Sequence, residues 1–307
     1  KVALVEKECA LGGLATLGNV VIFLPLCDGM GHQVIQGLGE ELLKASIEDG
    51  YDQIPDGWRG GGDYQQRIQH RYRVCFNPAS LIYTCEERVL KDGVDLFYDP
   101  RFCDVSLEQG RIEALIVESK SGRSAIACRT VVDASGDADV CARAGERTLS
   151  LATNVRAGWF FYSSGGQLER VSLTKPYDPH GKDLPDSGPG YAGDSADDVT
   201  RQVVDTRGLI RRRLKELRQA SNSDAVYPIL LPTIPALRMT RRLRGEIELS
   251  EDDERHIFPD SVGMTGDWRK AGPVYYIPLR ALSAPNIPNL ITAGRCISSA
   301  SAWDITR

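Results

Sequence analysis

The chain has 307 residues, 42% of them apolar, a formal charge of −5 and a pI near 5.5. That length suits one large domain or two ordinary ones, and the apolar content permits a substantial core. The acidic balance argues against a general nucleic-acid binder, which needs a basic excess to displace phosphate counterions, and the longest apolar run, residues 20–26, is broken by Pro25 and too short to span a bilayer.

Residues 2–5 are an apolar run ending in charge at Glu6 and read as a buried parallel strand. Residues 11–18 form a glycine-rich loop. Apolar spacing at Val34, Ile35, Leu38, Leu42 and Leu43 predicts a helix within residues 32–47. Residues 50–63 hold five glycines and one proline and read as a loop. A second amphipathic helix is predicted over residues 79–91, with Leu81, Ile82, Cys85, Val89 and Leu90 on one side and Asp92 and Gly93 at its end. Residues 94–98 then read as a strand, which makes this the second half of a βαβ unit.

Three short strands follow as a meander, residues 101–107, 111–118 and 123–128, joined by good hairpin connections. Residues 130–133 are a further apolar strand that must turn sharply at Ala134, Ser135, Gly136 and Asp137. From about residue 149 to 197 the pattern weakens, and a second sheet with long loops is expected. Residues 197–219 read as a clear helix with Val199, Val203, Ile210, Leu214 and Leu217, and its Arg211, Arg212, Arg213 run reads as a solvated face. Residues 274–277 and 290–292 read as buried strands, the second flanked by Asn289 and by Ala293 and Gly294.

None of the eight cysteines forms a C-x-x-C pair, so neither zinc nor a redox dithiol is signalled. They read as buried thiols of a cytoplasmic protein. The four histidines show no metal spacing. His32 is a candidate proton donor, though a surface or packing role is the ordinary reading.

Three segments carry chemistry. Glu6 ends the first strand, where an acid accepts hydrogen bonds from the ribose of an adenine dinucleotide, and Gly12 and Gly13 just beyond let the backbone approach a ligand. The strand ending in Ala134, Ser135 and Gly136 can pass beneath a bound nucleotide. A strand-to-glycine transition at Gly294, Arg295 and Cys296 presents backbone amides that can face phosphates or a ring. Each segment alone is equally an ordinary strand end.

Taken in order, these features resemble the FAD-dependent oxidoreductases with a glutathione-reductase-like nucleotide-binding domain. The nearest branch carries a Leu-Gly-Gly-x-Ala-Thr loop, here Leu11 to Thr16, and a late Ala-Gly-Arg-Cys-Ile-Ser segment, here Ala293 to Ser298. The arginine-rich stretch from Leu231 to Glu246 and the acidic stretch from Ser250 to Asp253 are also similar to that branch. The resemblance implies an α/β fold: a three-layer Rossmann-like FAD-binding domain, with a parallel sheet plus an antiparallel β-meander, and a second mixed α+β substrate domain. It implies an FAD-binding domain over residues 1–145, a substrate or cap domain over 146–288, and a return to the first domain over 289–307.

It further implies that Glu6 binds the adenosine ribose and that Gly12, Gly13, Ala15 and Thr16 line the pyrophosphate and flavin side. Phe102 would contact adenine through its backbone, Ala134, Ser135 and Gly136 would pass near the adenosine half, and Gly294, Arg295 and Cys296 would approach the ribityl chain. Many relatives carry Asp where Arg295 stands. The family's G-x-G-x-x-G fingerprint precedes the Glu6 strand, and a flavin-contacting helix follows the late segment. The sequence is therefore expected to be truncated at both ends and to bind FAD poorly as written.

The implied activity is transfer of a hydride or electrons between FAD and a small organic substrate. Arg238 and Arg241 are candidate clamps for a substrate carboxylate, with structural ion pairing to nearby acids as their alternative role. No residue is assigned to catalysis and no metal is implied, and neither a nucleic-acid nor a membrane partner is expected. Two other readings stay open: a non-catalytic remnant of the fold acting in binding or assembly, and an NAD-binding dehydrogenase using Glu6.

Overall fold

The computed structural model describes residues 1–173, 189–221 and 225–300, and they form two compact units. The first is built from Lys1–Gly12, Val21–Leu149 and the chain from Arg242 onward; the second takes Gly13–Val20 and the chain between Ser150 and Arg241.

The first unit runs β1 (Ala3–Glu6), β2 (Ile22–Phe23), α1 (Leu38–Ala45), α2 (Tyr64–Gln69), β3 (Val74–Cys75), α3 (Pro78–Lys91), β4 (Asp95–Tyr98), β5 (Arg101–Glu108), β6 (Arg111–Ser119), β7 (Gly122–Ala127), β8 (Val131–Asp133), α4 (Asp139–Arg143) and β9 (Thr148–Leu149). β1 and β4 pair in parallel, Ala3 opposite Asp95 and Glu6 opposite Tyr98. α3 feeds β4 directly. It starts where Asn77 accepts a hydrogen bond from the Ala79 N–H at 2.8 Å and Pro78 fills the first turn. The meander is an antiparallel sheet in the order β5-β6-β7.

The second unit contains β10 (Trp159–Ser164), β11 (Gln167–Ser172), α5 (Ala196–Ser221) and β12 (Tyr227–Leu230). Its sheet has the order β11-β10-β12, all antiparallel. One face of α5 is polar in its first half, through Asp198, Gln202 and Thr206, and apolar in its second, through Ile210 and Leu214. Those two apolar residues pack with Phe160 and Val226 in the core of the unit.

The chain then returns to the first unit with β13 (Arg242–Leu243), β14 (Ser261–Gly266), β15 (Val274–Pro278) and β16 (Leu290–Thr292). β13 pairs with β9, β14 with β15 as a hairpin, and β16 in parallel with β8. Ile112, Val131, Val140, Leu243, Ile287 and Leu290 share one core cluster beneath the β8–β16 pair. A second cluster joins Leu26, Leu43, Tyr72 and Val74, with Trp58 stacked on Tyr72 at 5.1 Å. The fold is mixed α/β with small sheets of two or three strands among the described residues.

Two expectations need correction. The helix read within residues 32–47 is confined to α1, because Cys27 and Gln33 form an antiparallel bridge and the N–H groups of Val34 and Ile35 both donate to the Leu26 carbonyl. That extended pairing takes up the apolar residues whose spacing imitates a helix. The glycine-rich stretch from residue 50 is a loop only in part. It contains a 3₁₀ turn at Asp56–Trp58 and leads into α2, where Asp63 Oδ1 caps the helix by accepting the Gln66 N–H at 2.8 Å. Among the described residues from 149 to 197, the weak pattern does hold a further sheet, and residues 174–188 of that stretch lie outside the described residues.

Candidate functional site

The parallel pair β8–β16 puts two strand ends side by side, with Leu290 opposite Val131 and Thr292 opposite Asp133. The C-terminal ends of parallel strands are where α/β folds bind ligands. Here both ends run into the small-residue turns at residues 134–137 and 293–296. Asp133 organises the first turn. It is fully buried, its Oδ1 accepts from the Ser135 N–H at 3.1 Å and the Ser135 hydroxyl at 2.6 Å, and its Oδ2 accepts from the Cys141 N–H at 3.0 Å. The Ser135 hydroxyl oxygen then accepts from the N–H groups of Asp137 and Asp139, which leads the chain into α4.

The second turn is tied to the first. The Ala293 N–H donates to the Asp133 carbonyl at 2.9 Å. The Arg295 guanidinium donates to Asp137 Oδ1 at 2.6 Å, with both side chains largely buried. It lies so close over Gly136 that a Cβ there would stand 2.6 Å from Arg295 Nη1. Gly294, at φ 78°, has open space where its Cβ would be, so backbone there is approachable by a ligand. Cys296 is buried, and its thiol donates to the Asp133 and Ala293 carbonyls at 3.4 and 3.2 Å. Behind it, burial pushes the Cys141 thiol well above its usual range. Both sulfurs sit in the core cluster with Val131 and Leu290, which is a packing role.

Glu6 ends β1 half-buried, and its Oε1 accepts from the Glu8 N–H at 2.9 Å. A carboxylate has about four lone-pair sites, so acceptor capacity remains for a diol. Its register partner Tyr98 donates its hydroxyl to Glu86 Oε1 at 2.6 Å, and burial followed by that bond pushes the phenol well above its usual range. Phe102 pairs with Val117, and the ladder slips between Phe102 and Asp104. Such a bulge releases backbone groups from the ladder and re-aims the strand, as a backbone contact to a base requires.

Gly12 belongs to the first unit, and Gly13, Ala15 and Thr16 to the second. There the Gly13 carbonyl accepts from the N–H groups of Thr16, Leu17 and Gly18 at 3.2, 2.8 and 3.2 Å, closing the 3₁₀ turn Gly13–Ala15. Arg238 and Arg241 also lie in the second unit, both half-buried. The Arg238 N–H donates to Asn154 Oδ1 at 2.7 Å, and the Asn154 amide donates in turn to the carbonyls of Tyr191, Ala192 and Met239.

Sequence reasoning missed the buried polar anchors. Glu146 accepts from the N–H groups of Asn286 and Ile287 at 2.8 and 2.7 Å, and Asn289 donates to the Ile112 and Arg129 carbonyls at 2.8 and 3.0 Å. Asn289, near the apolar Ile287 and Leu290, leaves only a weak local signal, and Glu146, between Gly145 and Arg147, leaves none. Among the described residues no group of three His, Cys, Asp or Glu could hold a metal ion, and no helix is long and apolar enough to cross a membrane.

The donor set suits a nucleotide. A carboxylate ends one parallel strand, two braced turns follow another parallel pair, and an open glycine sits in one of those turns. The model of the FAD dependent oxidoreductase family matches residues 1–150 and 187–302. The chain belongs to that family. The family's cofactor is FAD and its chemistry is flavin-dependent oxidation and reduction. No curated protein matches the chain. Among solved structures, it is similar to THI4 of Thermovibrio ammonificans, at 19% identity and a TM-score of 0.32, over 48% of this chain and 55% of that one. It is also similar to the p-nitrophenol 4-monooxygenase PnpA of Pseudomonas putida DLL-E4, at 12% identity and a TM-score of 0.46, over 97% of this chain and 66% of that one. The chain thus spans between 55% and 66% of the length of these two proteins.

Proposed function

We propose that this member of the FAD dependent oxidoreductase family is a cytoplasmic enzyme that moves a hydride or electrons between FAD and a small organic substrate. The observation that carries this reading is the pair of turns after β8 and β16, braced by Arg295 and Asp137, in a chain that the family model matches over most of its length. Glu6 would accept hydrogen bonds from the adenosine ribose. The backbone at Phe102 and at Ala134, Ser135 and Gly136 would line the adenosine half. Gly294, Arg295 and Cys296 would stand toward the ribityl chain, and Gly12, Gly13, Ala15 and Thr16 toward the pyrophosphate. In this role Arg295 works through its ion pair, holding one turn against the other.

The flavin, when bound, supplies the redox chemistry, and the protein supplies orientation and charge. A three-layer Rossmann-like arrangement is the architecture this assignment favours, with residues 1–145 and 289–307 serving the cofactor and 146–288 the substrate. A carboxylate is the substrate class that Arg238 and Arg241 would hold in bidentate fashion. The test is direct. The full-length gene product should purify yellow, and Glu6→Ala should weaken its retention of flavin by about tenfold, the lower end of what one hydrogen bond to a charged group is worth. A folded, colourless full-length protein that gains no flavin absorbance with added FAD rules the assignment out.

A further inference from the structure

The loop that follows β1 is built into the second unit. Gly12 belongs to the first unit and the chain returns there at Val21, whereas Gly13–Val20 cluster with the second. The segment closes on itself. Beyond the three N–H groups that meet at the Gly13 carbonyl, the Asn19 N–H donates to the Thr16 carbonyl at 3.2 Å and the Val20 N–H to the Leu14 carbonyl at 2.9 Å. The two ends of the segment have opposite surroundings. At Gly13, φ 51°, a Cβ would meet nothing within 4 Å, so that side of the backbone is open to a ligand. At Gly18, which is buried, a Cβ would stand 2.8 Å from the Leu14 carbonyl oxygen.

Asn19, at the packed end, is 1% exposed and holds a left-handed backbone at φ 57°. Asn enters that region more readily than most side chains. Hydrogen bonds fasten this end of the loop to the rest of the second unit. Asn19 Nδ2 donates to the Trp159 carbonyl at 3.3 Å, and the Thr233 N–H donates to the Leu17 carbonyl at 2.9 Å. β12 pairs with β10 only from Phe161 onward, and Asn19 takes up the Trp159 carbonyl just before that point. Trp159 is a firm anchor. It pairs with Ser172 of β11, and the Arg170 guanidinium stacks over its ring at 4.5 Å.

We propose that Asn19 is a positioning residue for the cofactor. Its left-handed turn and its bond to Trp159 lock the packed end of the loop onto β10, and the open backbone at Gly13 is thereby held in the shape that takes the FAD pyrophosphate. The role rests on the reading that sets Gly13, Ala15 and Thr16 toward the pyrophosphate; the anchoring itself is measurable without flavin. A loop fixed in this way releases the cofactor when it undocks, so the rate of FAD loss follows the undocked fraction. Hydrogen exchange at the Leu17, Gly18 and Val20 amides, which close the loop, follows the same fraction.

Two substitutions separate the backbone from the side chain. Asn19→Gly keeps the left-handed turn and removes the donor, and Asn19→Ala removes the donor and strains the turn as well. In the full-length protein as purified, Asn19→Gly should speed exchange of the three loop amides by about fivefold, the worth of one neutral hydrogen bond. FAD loss, followed by the recovery of free-flavin fluorescence, should speed up by the same factor. Asn19→Ala should raise both rates by about twenty-five-fold, because the left-handed backbone adds a similar factor for alanine. Thermal melts check that the variants are folded, and Asn19→Gly alone decides the matter if Asn19→Ala is not. Loop exchange that stays at the wild-type rate in Asn19→Gly overturns the proposal. So does faster exchange with unchanged FAD loss, or an equal acceleration in α5, which would make Asn19 a support of the second unit at large. A wild type that carries no flavin and takes up none overturns the FAD assignment and this role with it. A flavin-bound wild type matched by Asn19→Gly in FAD loss overturns the role alone.

Discussion

Gly136 and Gly294 share a left-handed backbone, at φ 80° and 78°, but face different surroundings. Forcing a side chain into that conformation costs about 1 kcal/mol at either position. A Cβ at Gly294 meets open space, whereas one at Gly136 displaces the Arg295 guanidinium from its contact with Asp137. Gly136→Ala should therefore destabilise the protein by about 1 kcal/mol more than Gly294→Ala, the order of one charge-assisted hydrogen bond. Urea denaturation measures both. In an Arg295→Ala background the difference should vanish, because nothing is left to displace. Asp133→Asn belongs to the same scale. It replaces an oxygen that accepts a buried N–H or hydroxyl with a donor, and about 2 kcal/mol should be lost. A loss too small to resolve would mean that Ser135 and Cys141 find other acceptors. The sequence displays Asp133 only as a strand-end acid, because the groups it satisfies become neighbours only once the turn is formed.

At the scale of elements, Asp260 and Arg280 close the open end of the β14–β15 hairpin. Arg280 Nε and Nη2 donate to the two Asp260 oxygens at 3.1 and 3.0 Å, and the Arg280 N–H adds a third bond at 3.0 Å. The Arg280 side-chain bond foremost pulls the Asp260 carboxyl from 3.8 down to about 2. A depressed carboxyl contributes stability that is complete above its unfolded value and is lost as pH falls through its folded value. The urea midpoint of the wild type should thus exceed that of Asp260→Asn at pH 5, and the gap should close between about pH 4 and pH 2. A gap that persists at pH 2 would assign the difference to something other than this ion pair. The elements themselves were unevenly legible. α3 and α5 carry long helical periodicity with capping residues, and the meander has clear alternation and turns, so local pattern and tertiary structure agree. β14 is interrupted by Gly263 and ends at Gly266, and its pairing with β15 supplies what its sequence does not. Val34 and Ile35 mislead because the Cys27–Gln33 bridge and their hydrogen bonds to the Leu26 carbonyl hold as extended chain residues whose spacing imitates a helix.

At the scale of the molecule, the chain passes between its two units at residues 12–13, 20–21, 149–150 and 241–242. No composition shift marks the first excursion, eight residues long, which is why this weave is not legible locally. Each unit nevertheless has its own core. Phe160, Ile210, Leu214 and Val226 make that of the second, and the cluster around Val131 and Leu290 lies in the first with the braced turns. Sub-global opening follows such divisions when the contacts that hold an element are contained within one unit. Ile210 is 2% exposed on α5, and truncating it to Ala should cost about 3 kcal/mol through lost burial and the cavity left behind. If the second unit opens by itself, hydrogen exchange in α5, β10 and β12 should accelerate by about a hundredfold, while the β6 and β8 amides keep most of their protection. Equal acceleration in β6 and β8 would show instead that the two units behave as one cooperative system. The braced turns after β8 and β16 would then depend on the core of α5 as much as on their own.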